Sequence, residues 1–162
     1  ELPIANNETG GSLFEKLALL GGEAIVDTID NFNNITPKKQ GESTTGYAKM
    51  ISKSMGDIDF NKSAIEIERL IRGMNPWPSA YTRYQGKVLK IWEAEVAENI
   101  SELPNINLSE NYGKIYSFNS RIFIICNQSI LEVLSLQLEG KKRMSAKDFL
   151  MGRDIEQGYK LG

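Results

Sequence analysis

The sequence predicts an α+β protein, in which a helix and a linker lead into a small, nearly closed β-barrel of about five strands with one short C-terminal helix. Apolar residues recur at helical spacing early in the chain, and the period changes to that of strands after Pro76. With 162 residues, of which 41% are hydrophobic and 25% charged, the composition is that of a soluble protein of one domain, or one domain and part of another. No stretch reaches the ~20 apolar residues of a membrane-spanning helix, so we expect no membrane partner.

The first predicted element is an amphipathic helix over residues 12–32, whose apolar positions follow the three-to-four spacing of one helical face. Ser12 followed by Glu15 predicts a capping pair at its first turn. Gly21 and Gly22 lie inside it, where each costs about 1 kcal/mol relative to alanine, so we expect a bend or a close packing contact there. The apolar stripe also predicts a neighbouring layer that this sequence does not contain.

A linker and a second helix follow. Residues 33–58 are poor in large apolar groups, which predicts a linker or an ordered crossing between two bodies. A helix is predicted over residues 61–74, with Ser63 and Glu66 as its capping pair. It ends at Asn75, because the residue before a proline disfavours helical angles.

The barrel is predicted from short, alternating, β-prone segments. The first two, 80–84 and 87–96, are joined at Gln85-Gly86, where glycine permits the positive φ of a tight hairpin. Five short strands within about 80 residues are typical of a closed or nearly closed barrel. An irregular stretch is predicted at 97–111. Three more strands are predicted at 114–118, 121–126 and 130–138, and a short helix at 145–150.

The residue inventory excludes most familiar catalytic chemistry. Histidine is absent and cysteine occurs once, at Cys126. Imidazole is the usual proton shuttle near neutral pH and a common zinc ligand, so histidine-dependent triads are excluded and no zinc site is expected. We predict no catalytic residue, no cofactor-binding residue and no metal ligand. Cys126 ends an apolar strand and is interpreted as a core residue, in keeping with a reducing, cytoplasmic compartment.

Several strings of the sequence resemble those of methionyl-tRNA formyltransferases, and they occur in the same order along the whole chain. The strings before the barrel are ETGGSL at 8–13, KLA at 16–18, YA at 47–48, ISK at 51–53, GDID at 56–59, IER at 67–69, IRG at 71–73 and NPWPSAY at 75–81. Related strings also occur in sugar-nucleotide formyltransferases. The strings LSLQ at 134–137, EGKKRMSA at 139–146 and DFL at 148–150 resemble the C-terminal signature of the tRNA-modifying branch.

The resemblance implies an enzyme that transfers a formyl group from 10-formyltetrahydrofolate to the amino group of methionyl initiator tRNA. The catalytic residues and folate pocket of that family lie in an N-terminal Rossmann-like domain, and none of them maps onto this sequence. We therefore interpret the start at Glu1 as a cut and expect this fragment alone to be inactive.

The same resemblance divides the chain into three parts. It implies that residues 1–32 are the terminal helix of the N-terminal formyltransferase domain and residues 33–58 the interdomain linker. Residues 59–162 would form a C-terminal OB-like domain that binds tRNA. The expected partners are initiator methionyl-tRNA and the N-terminal catalytic domain, and we expect a monomer.

An OB-like barrel can present cations to a phosphate backbone without reading bases. Three consecutive cations follow a predicted strand at Gly140 and cannot all face inward, and others lie on the first hairpin, beside the turn at Asn119-Ser120 and in the linker. For a generic protein such charges form a solvated surface. The predicted tRNA-binding residues are Lys141, Lys142, Arg143, Lys87, Lys90, Arg83, Lys114, Arg121, Lys49 and Lys53.

The two tryptophans are expected in the core rather than stacked on bases. Trp77 lies between two prolines, and Trp92 alternates with Lys90 on a strand, so both can bury a large apolar area. Glu93 and Glu95 share one outward strand face, and we assign them no chemistry.

Two other classes of protein remain open at this point. The chain could be the C-terminal part of a sugar-nucleotide formyltransferase, in which the barrel is a packing element. It could also be a stand-alone barrel with no enzymatic parent, which would leave the apolar stripe of the first helix unexplained.

Overall fold

The computed structural model describes residues 1–43, 45–97 and 107–162, and within them the chain forms three α-helices and one curled antiparallel sheet. The helices are α1 (Gly10–Asp30), α2 (Ala64–Gly73) and α3 (Ala146–Gly152). The strands are β1 (Ala80–Tyr84), β2 (Lys87–Val96), β3 (Lys114–Phe118), β4 (Arg121–Cys126), β5 (Ser129–Leu138), β6 (Met144–Ser145) and β7 (Tyr159–Lys160). The α+β class is confirmed, and β6 and β7 are too short for alternation to predict them. Most of the irregular stretch predicted at 97–111 lies outside the described residues.

The sheet curls until its two ends meet. Its strand order is β1-β2-β5-β4-β3-β7, with β6 paired to β5 off this path. At the seam the rings of Tyr84 and Tyr159 meet edge-on with their centroids 4.9 Å apart. The Gly162 N–H donates to the Arg83 carbonyl oxygen over 3.1 Å, and the Glu156 N–H donates to the Tyr84 hydroxyl. These contacts give the sheet a nearly closed, barrel-like wall.

The main core lies inside this wall and beneath α2. Ile67 and Ile71, one helical turn apart, bring the apolar face of α2 onto the sheet. Cys126 is buried among them, as predicted. A smaller cluster lies on the opposite face of β4, where Phe123 and Ile125 are fully buried. The inward side chains of the strands that are fully buried include Ile91, Ile115, Ile122, Ile124, Leu131 and Leu136.

The two longer helices begin at capping boxes. Ser63 caps α2 and pairs with Glu66, which confirms the predicted pair. The N-cap of α1 is Thr9, whose hydroxyl accepts from the Ser12 N–H over 3.1 Å while Ser12 accepts from the Thr9 N–H. The predicted pairing of Ser12 with Glu15 is therefore wrong. The helix begins earlier than predicted because Thr9 caps it and its two glycines pack against Gly73 and Pro76, although helix propensity alone disfavours glycine there.

Helix α1 leaves the barrel after its first turns. None of its residues is buried. The predicted bend or close contact at Gly21 and Gly22 is wrong, since the helix is continuous and no atom lies within 4 Å of a Cβ built on either glycine. The apolar stripe is thus a surface without a partner in the described part of the chain. Its large exposed side chains are Phe14, Leu17, Leu19, Leu20, Ile25, Val26 and Ile29.

The start of α1 packs closely on the end of α2. A Cβ at Gly10 would clash with the Gly73 carbonyl oxygen, and one at Gly11 would lie 2.6 Å from Pro76 Cδ. The Gly11 N–H donates to the Asn75 carbonyl oxygen over 2.8 Å. Both positions therefore require glycine for close approach of two backbones rather than for turn geometry.

A charged network reinforces this junction. The buried Glu8 carboxylate accepts from Lys16 Nζ over 2.7 Å and from the Ser12 hydroxyl, and these two hydrogen bonds lower the pKa of Glu8. Arg72 of α2 donates to the Glu8 carbonyl oxygen over 2.9 Å and pairs with Glu68. The direction in which α1 leaves the barrel is fixed by these contacts.

The last residues of the predicted linker form part of the barrel wall. Asp57 bridges to Tyr81 in parallel, and the Ile58 N–H donates to the Tyr81 carbonyl oxygen over 2.9 Å. A 3₁₀ turn, Lys53–Gly56, leads into this contact. The outer edge of β1 is therefore partly covered by the chain that precedes α2.

Candidate nucleic-acid interface

The outer face of β2 gathers two cations around one tryptophan. Trp92 lies where the pairing register of β2 and β5 shifts. Lys90 Nζ is 5.6 Å from the centroid of its ring, and Arg143 Cζ is 5.2 Å from it. The indole N–H donates to Gln137 Oε1 over 3.2 Å. Since an aromatic face attracts cations within about 6 Å, Trp92 holds both cations at this surface.

The turn after β5 adds two further cations. Gln137 Nε2 donates to the Lys141 carbonyl oxygen over 2.9 Å, and Gly140 has the positive φ of 75° that a tight turn requires. The side chains of Lys141 and Lys142 are exposed. The backbone of the turn is thus ordered while its ammonium groups remain in solvent. We call the group of Lys90, Trp92, Lys141, Lys142 and Arg143 the Trp92 face.

Arg143 is held by several groups at once. Its Nε donates to the Ser135 hydroxyl over 3.0 Å, its Nη2 pairs with Glu93, and its guanidinium lies over Trp92. About 42% of the Arg143 side chain is exposed. The guanidinium is therefore ordered and still reachable from solvent.

The first hairpin places its two cations differently. Arg83 lies opposite Val88, so it faces the outer side and is a diagonal neighbour of Lys90. Lys87 lies on the same side of β2 as the inward-facing Leu89, but it is exposed because it lies at the end of the barrel. The structure brings Arg83 near the Trp92 face, and it does not bring Lys87 there.

Lys114 and Arg121 lie on strands that β5 separates from β2. Arg121 forms a bidentate pair with Glu132, with Nε 2.8 Å from Oε1, and its guanidinium lies 4.9 Å from the centroid of Phe123. Lys114 lies opposite Lys160 in the β3–β7 register. The structure therefore does not join these two predicted residues to the Trp92 face.

Lys49 and Lys53 are both exposed on the chain that approaches β1. Lys53 begins the 3₁₀ turn whose following residues pack on Tyr81. The two lysines belong to the segment beside β1, which is one strand removed from Lys90.

Both tryptophans were expected in the core. This expectation is wrong for Trp77 and only partly right for Trp92. Trp77 is 57% exposed, and its indole lines a surface cavity beside Gly11 and Pro76 rather than the core. Trp92 is half-buried beneath cations rather than in the core. Ser135 and Gln137 were missed as partners of this site, because a cross-strand neighbour becomes visible only when the shifted register of β2 and β5 is known.

Among the residues that the structure describes, no three histidine, cysteine, aspartate or glutamate side chains are grouped so that they could hold a metal ion. Within the same part of the chain, every helix is too short or too polar to cross a membrane.

Comparison with known proteins gives a family match. Residues 50–154 match the formyl transferase C-terminal domain. The chain is 49% identical to the methionyl-tRNA formyltransferase of Lachnospira eligens, over 96% of this chain and 50% of that protein. It is 42% identical to the methionyl-tRNA formyltransferase of Pseudoalteromonas translucida, over 99% of this chain and 50% of that protein. The chain therefore spans about half the length of the curated relatives it matches.

Solved structures with the same fold are more distant in sequence. A variant of HypX from Aquifex aeolicus matches with a TM-score of 0.52 and 13% identity, over 80% of this chain and 22% of that one. HypX in complex with tetrahydrofolic acid matches with a TM-score of 0.51, also at 13% identity, over 79% of this chain and 22% of that one. At this identity the likeness concerns the fold alone.

Proposed function

This chain belongs to the formyl transferase C-terminal domain family, and on that premise we propose that it is the tRNA-holding part of a methionyl-tRNA formyltransferase. The whole enzyme transfers a formyl group from 10-formyltetrahydrofolate to the amino group of methionyl initiator tRNA, in the cytoplasm and during translation initiation. The relatives carry that enzyme's name, which favours this function over a sugar-nucleotide formyltransferase or a barrel without an enzymatic parent.

The observation that carries this proposal is the Trp92 face. Nucleic-acid phosphates are bound by cations that neutralise them and release condensed counterions. Lys90 and Arg143 stand over one ring, with the exposed Lys141 and Lys142 in the adjoining turn. Flexible lysines and a fixed guanidinium suit contacts to the phosphate backbone, which position a nucleic acid without reading its sequence.

We place formyl transfer itself on the part of the enzyme that this chain does not span. The apolar side of α1 packs, in this proposal, against the Rossmann-like catalytic domain, which binds the formyl donor. The glycine junction at Gly10 and Gly11 then fixes the angle between that domain and the barrel. We also propose that the protein acts as a monomer.

The test is the affinity of the full-length protein for methionyl initiator tRNA, measured across salt concentrations. Replacing Lys141 and Lys142 together by alanine removes two exposed ammonium groups. We expect weaker binding at low salt and a log–log slope that is smaller by about 1.5, since each neutralised phosphate contributes roughly 0.7–0.9 to the slope.

A matched control uses single cations at opposite ends of β5. Lys90→Ala, on the Trp92 face, should also reduce the slope, whereas Lys62→Ala should not. Lys62 is exposed and accepts, through its carbonyl oxygen, from Asn127 in the turn before β5. Equal slopes for Lys90→Ala, Lys62→Ala and the unaltered protein would contradict the proposal that the Trp92 face binds tRNA phosphates. If the unaltered protein does not bind tRNA in dilute salt, the proposed function is wrong.

A further inference from the structure

One ion pair lies directly on the Trp92 face. Arg143 Nη2 pairs with the Glu93 carboxylate, while Ser135 holds the Arg143 Nε at 3.0 Å. The guanidinium also lies over the Trp92 ring, with Cζ 5.2 Å from the ring centroid, which holds it at this surface. One Nη2 N–H of Arg143 therefore points to a position that an anionic oxygen already occupies.

We propose that Glu93 is an internal competitor for nucleic-acid phosphate at Arg143, so that it sets how tightly the Trp92 face binds a polyanion. This inference rests on the proposed function. A carboxylate and a phosphate present the same charged oxygens to a guanidinium, and both form charge-assisted, bidentate hydrogen bonds with it. When phosphate binds, it takes the donors of Arg143, and Glu93 turns back to solvent.

The exposure of Glu93 makes this exchange possible. Its side chain is 57% exposed, so the carboxylate is rehydrated when the guanidinium leaves it. An exposed pair shifts an equilibrium by only about two- to fivefold. The carboxylate therefore weakens phosphate binding without preventing it.

The second arginine–glutamate pair of the barrel wall provides a contrast. Arg121 pairs with Glu132, but only 8% of the Glu132 side chain is exposed. Removing Arg121 from that pair would leave a charge out of contact with water, which is strongly unfavourable. The Arg121 pair thus belongs to the wall, whereas the Arg143 pair can exchange partners.

Glu93 also affects the salt dependence of binding. Salt screens an exposed ion pair, so added salt weakens the competition of Glu93 for Arg143 while it also weakens phosphate binding. The two effects oppose each other, so the Glu93 charge makes the salt dependence of tRNA binding shallower. Removing the Glu93 charge should therefore make the log–log slope steeper.

The experiment compares Glu93→Gln with Glu95→Gln in the full-length protein, using methionyl initiator tRNA across salt. Glu95 is exposed two residues along the same strand and lies opposite Glu132, so its removal changes net charge equally without touching Arg143. We expect Glu93→Gln to bind about two- to fivefold more tightly at low salt, with a steeper log–log slope. Glu95→Gln should change neither quantity by as much.

A double-mutant cycle separates local competition from a general charge effect. In an Arg143→Ala background, Glu93→Gln should give no more tightening than Glu95→Gln does. A full Glu93→Gln effect without Arg143, or equal effects of the two substitutions in the unaltered background, would overturn the competition while leaving the proposed function in place. If the unaltered protein and Glu93→Gln both fail to bind tRNA in dilute salt, the proposed function and this inference fail together.

Discussion

Cys126 and Glu8 are both buried, but their pKa values shift in opposite directions. Cys126 has no accessible surface, and desolvation raises the pKa of its thiol to about 12. Glu8 is also buried, but hydrogen bonds from Lys16 and Ser12 lower the pKa of its carboxyl group. Desolvation therefore dominates at Cys126, whereas hydrogen-bond partners outweigh it at Glu8.

The raised pKa of Cys126 predicts an inert thiol. At pH 8 a pKa of about 12 leaves roughly one thiolate in ten thousand, and the thiolate is the form that reacts. Iodoacetamide labelling at that pH, followed by peptide mass spectrometry, should leave Cys126 unmodified in the folded protein and modify it in urea. Rapid labelling of the native protein would show that the strand end opens readily.

Two glycines of α1 have opposite expected responses to alanine. Gly10→Ala should destabilise the protein, because the new Cβ meets the fixed carbonyl oxygen of Gly73. Gly21→Ala should stabilise α1 by about 1 kcal/mol, since its Cβ would enter open space and alanine is the better helix former. Thermal unfolding followed by circular dichroism measures both changes.

The pair serves as its own control, because each substitution adds the same methyl group to the same helix. A loss of stability in Gly21→Ala would mean that the exposed middle of α1 has a close partner. An unchanged midpoint in Gly10→Ala would mean that the junction with α2 tolerates displacement.

Local signals predicted the secondary-structure elements well where the signal lies within a few residues. Gln85-Gly86 forms the predicted hairpin turn, with positive φ at both residues, and Ser63 caps α2. The start of α1 was missed because Gly10 and Gly11 are selected by a contact with a distant backbone, which overrides helix propensity. β6 and β7 are two-residue strands whose pairing is decided by the barrel rather than by their own sequence.

The sequence predicted which cations lie on the surface, but it did not predict which of them lie next to one another. Lys90 and Arg143 were named from the sequence, but it is Trp92 at the register shift that brings them together. Arg121 was named by the same reasoning, and the fold pairs it with Glu132 on another part of the wall. Which cations share a surface depends on strand order and pairing, and a single sequence does not display either.

The whole molecule combines a nearly closed barrel with a helix whose apolar side has no partner among the described residues. The contacts of Gly10, Gly11 and Arg72 fix the helix to the barrel at one end. In the proposed enzyme this arrangement holds the phosphate-binding surface at a set distance and angle from the reacting methionine. Loss of the Trp92 cations should therefore affect the capture of tRNA and leave formyl transfer on bound tRNA intact.

Steady-state formylation by the full-length protein, with Lys90, Lys141 and Lys142 all replaced by alanine, separates these two effects. We expect KM for methionyl initiator tRNA to rise at least tenfold at moderate salt while kcat stays within about twofold, because a contact that binds ground state and transition state equally changes KM alone. A fall in kcat with KM unchanged would contradict this proposal, since the lysines would then affect the chemical step rather than the binding of tRNA by the barrel.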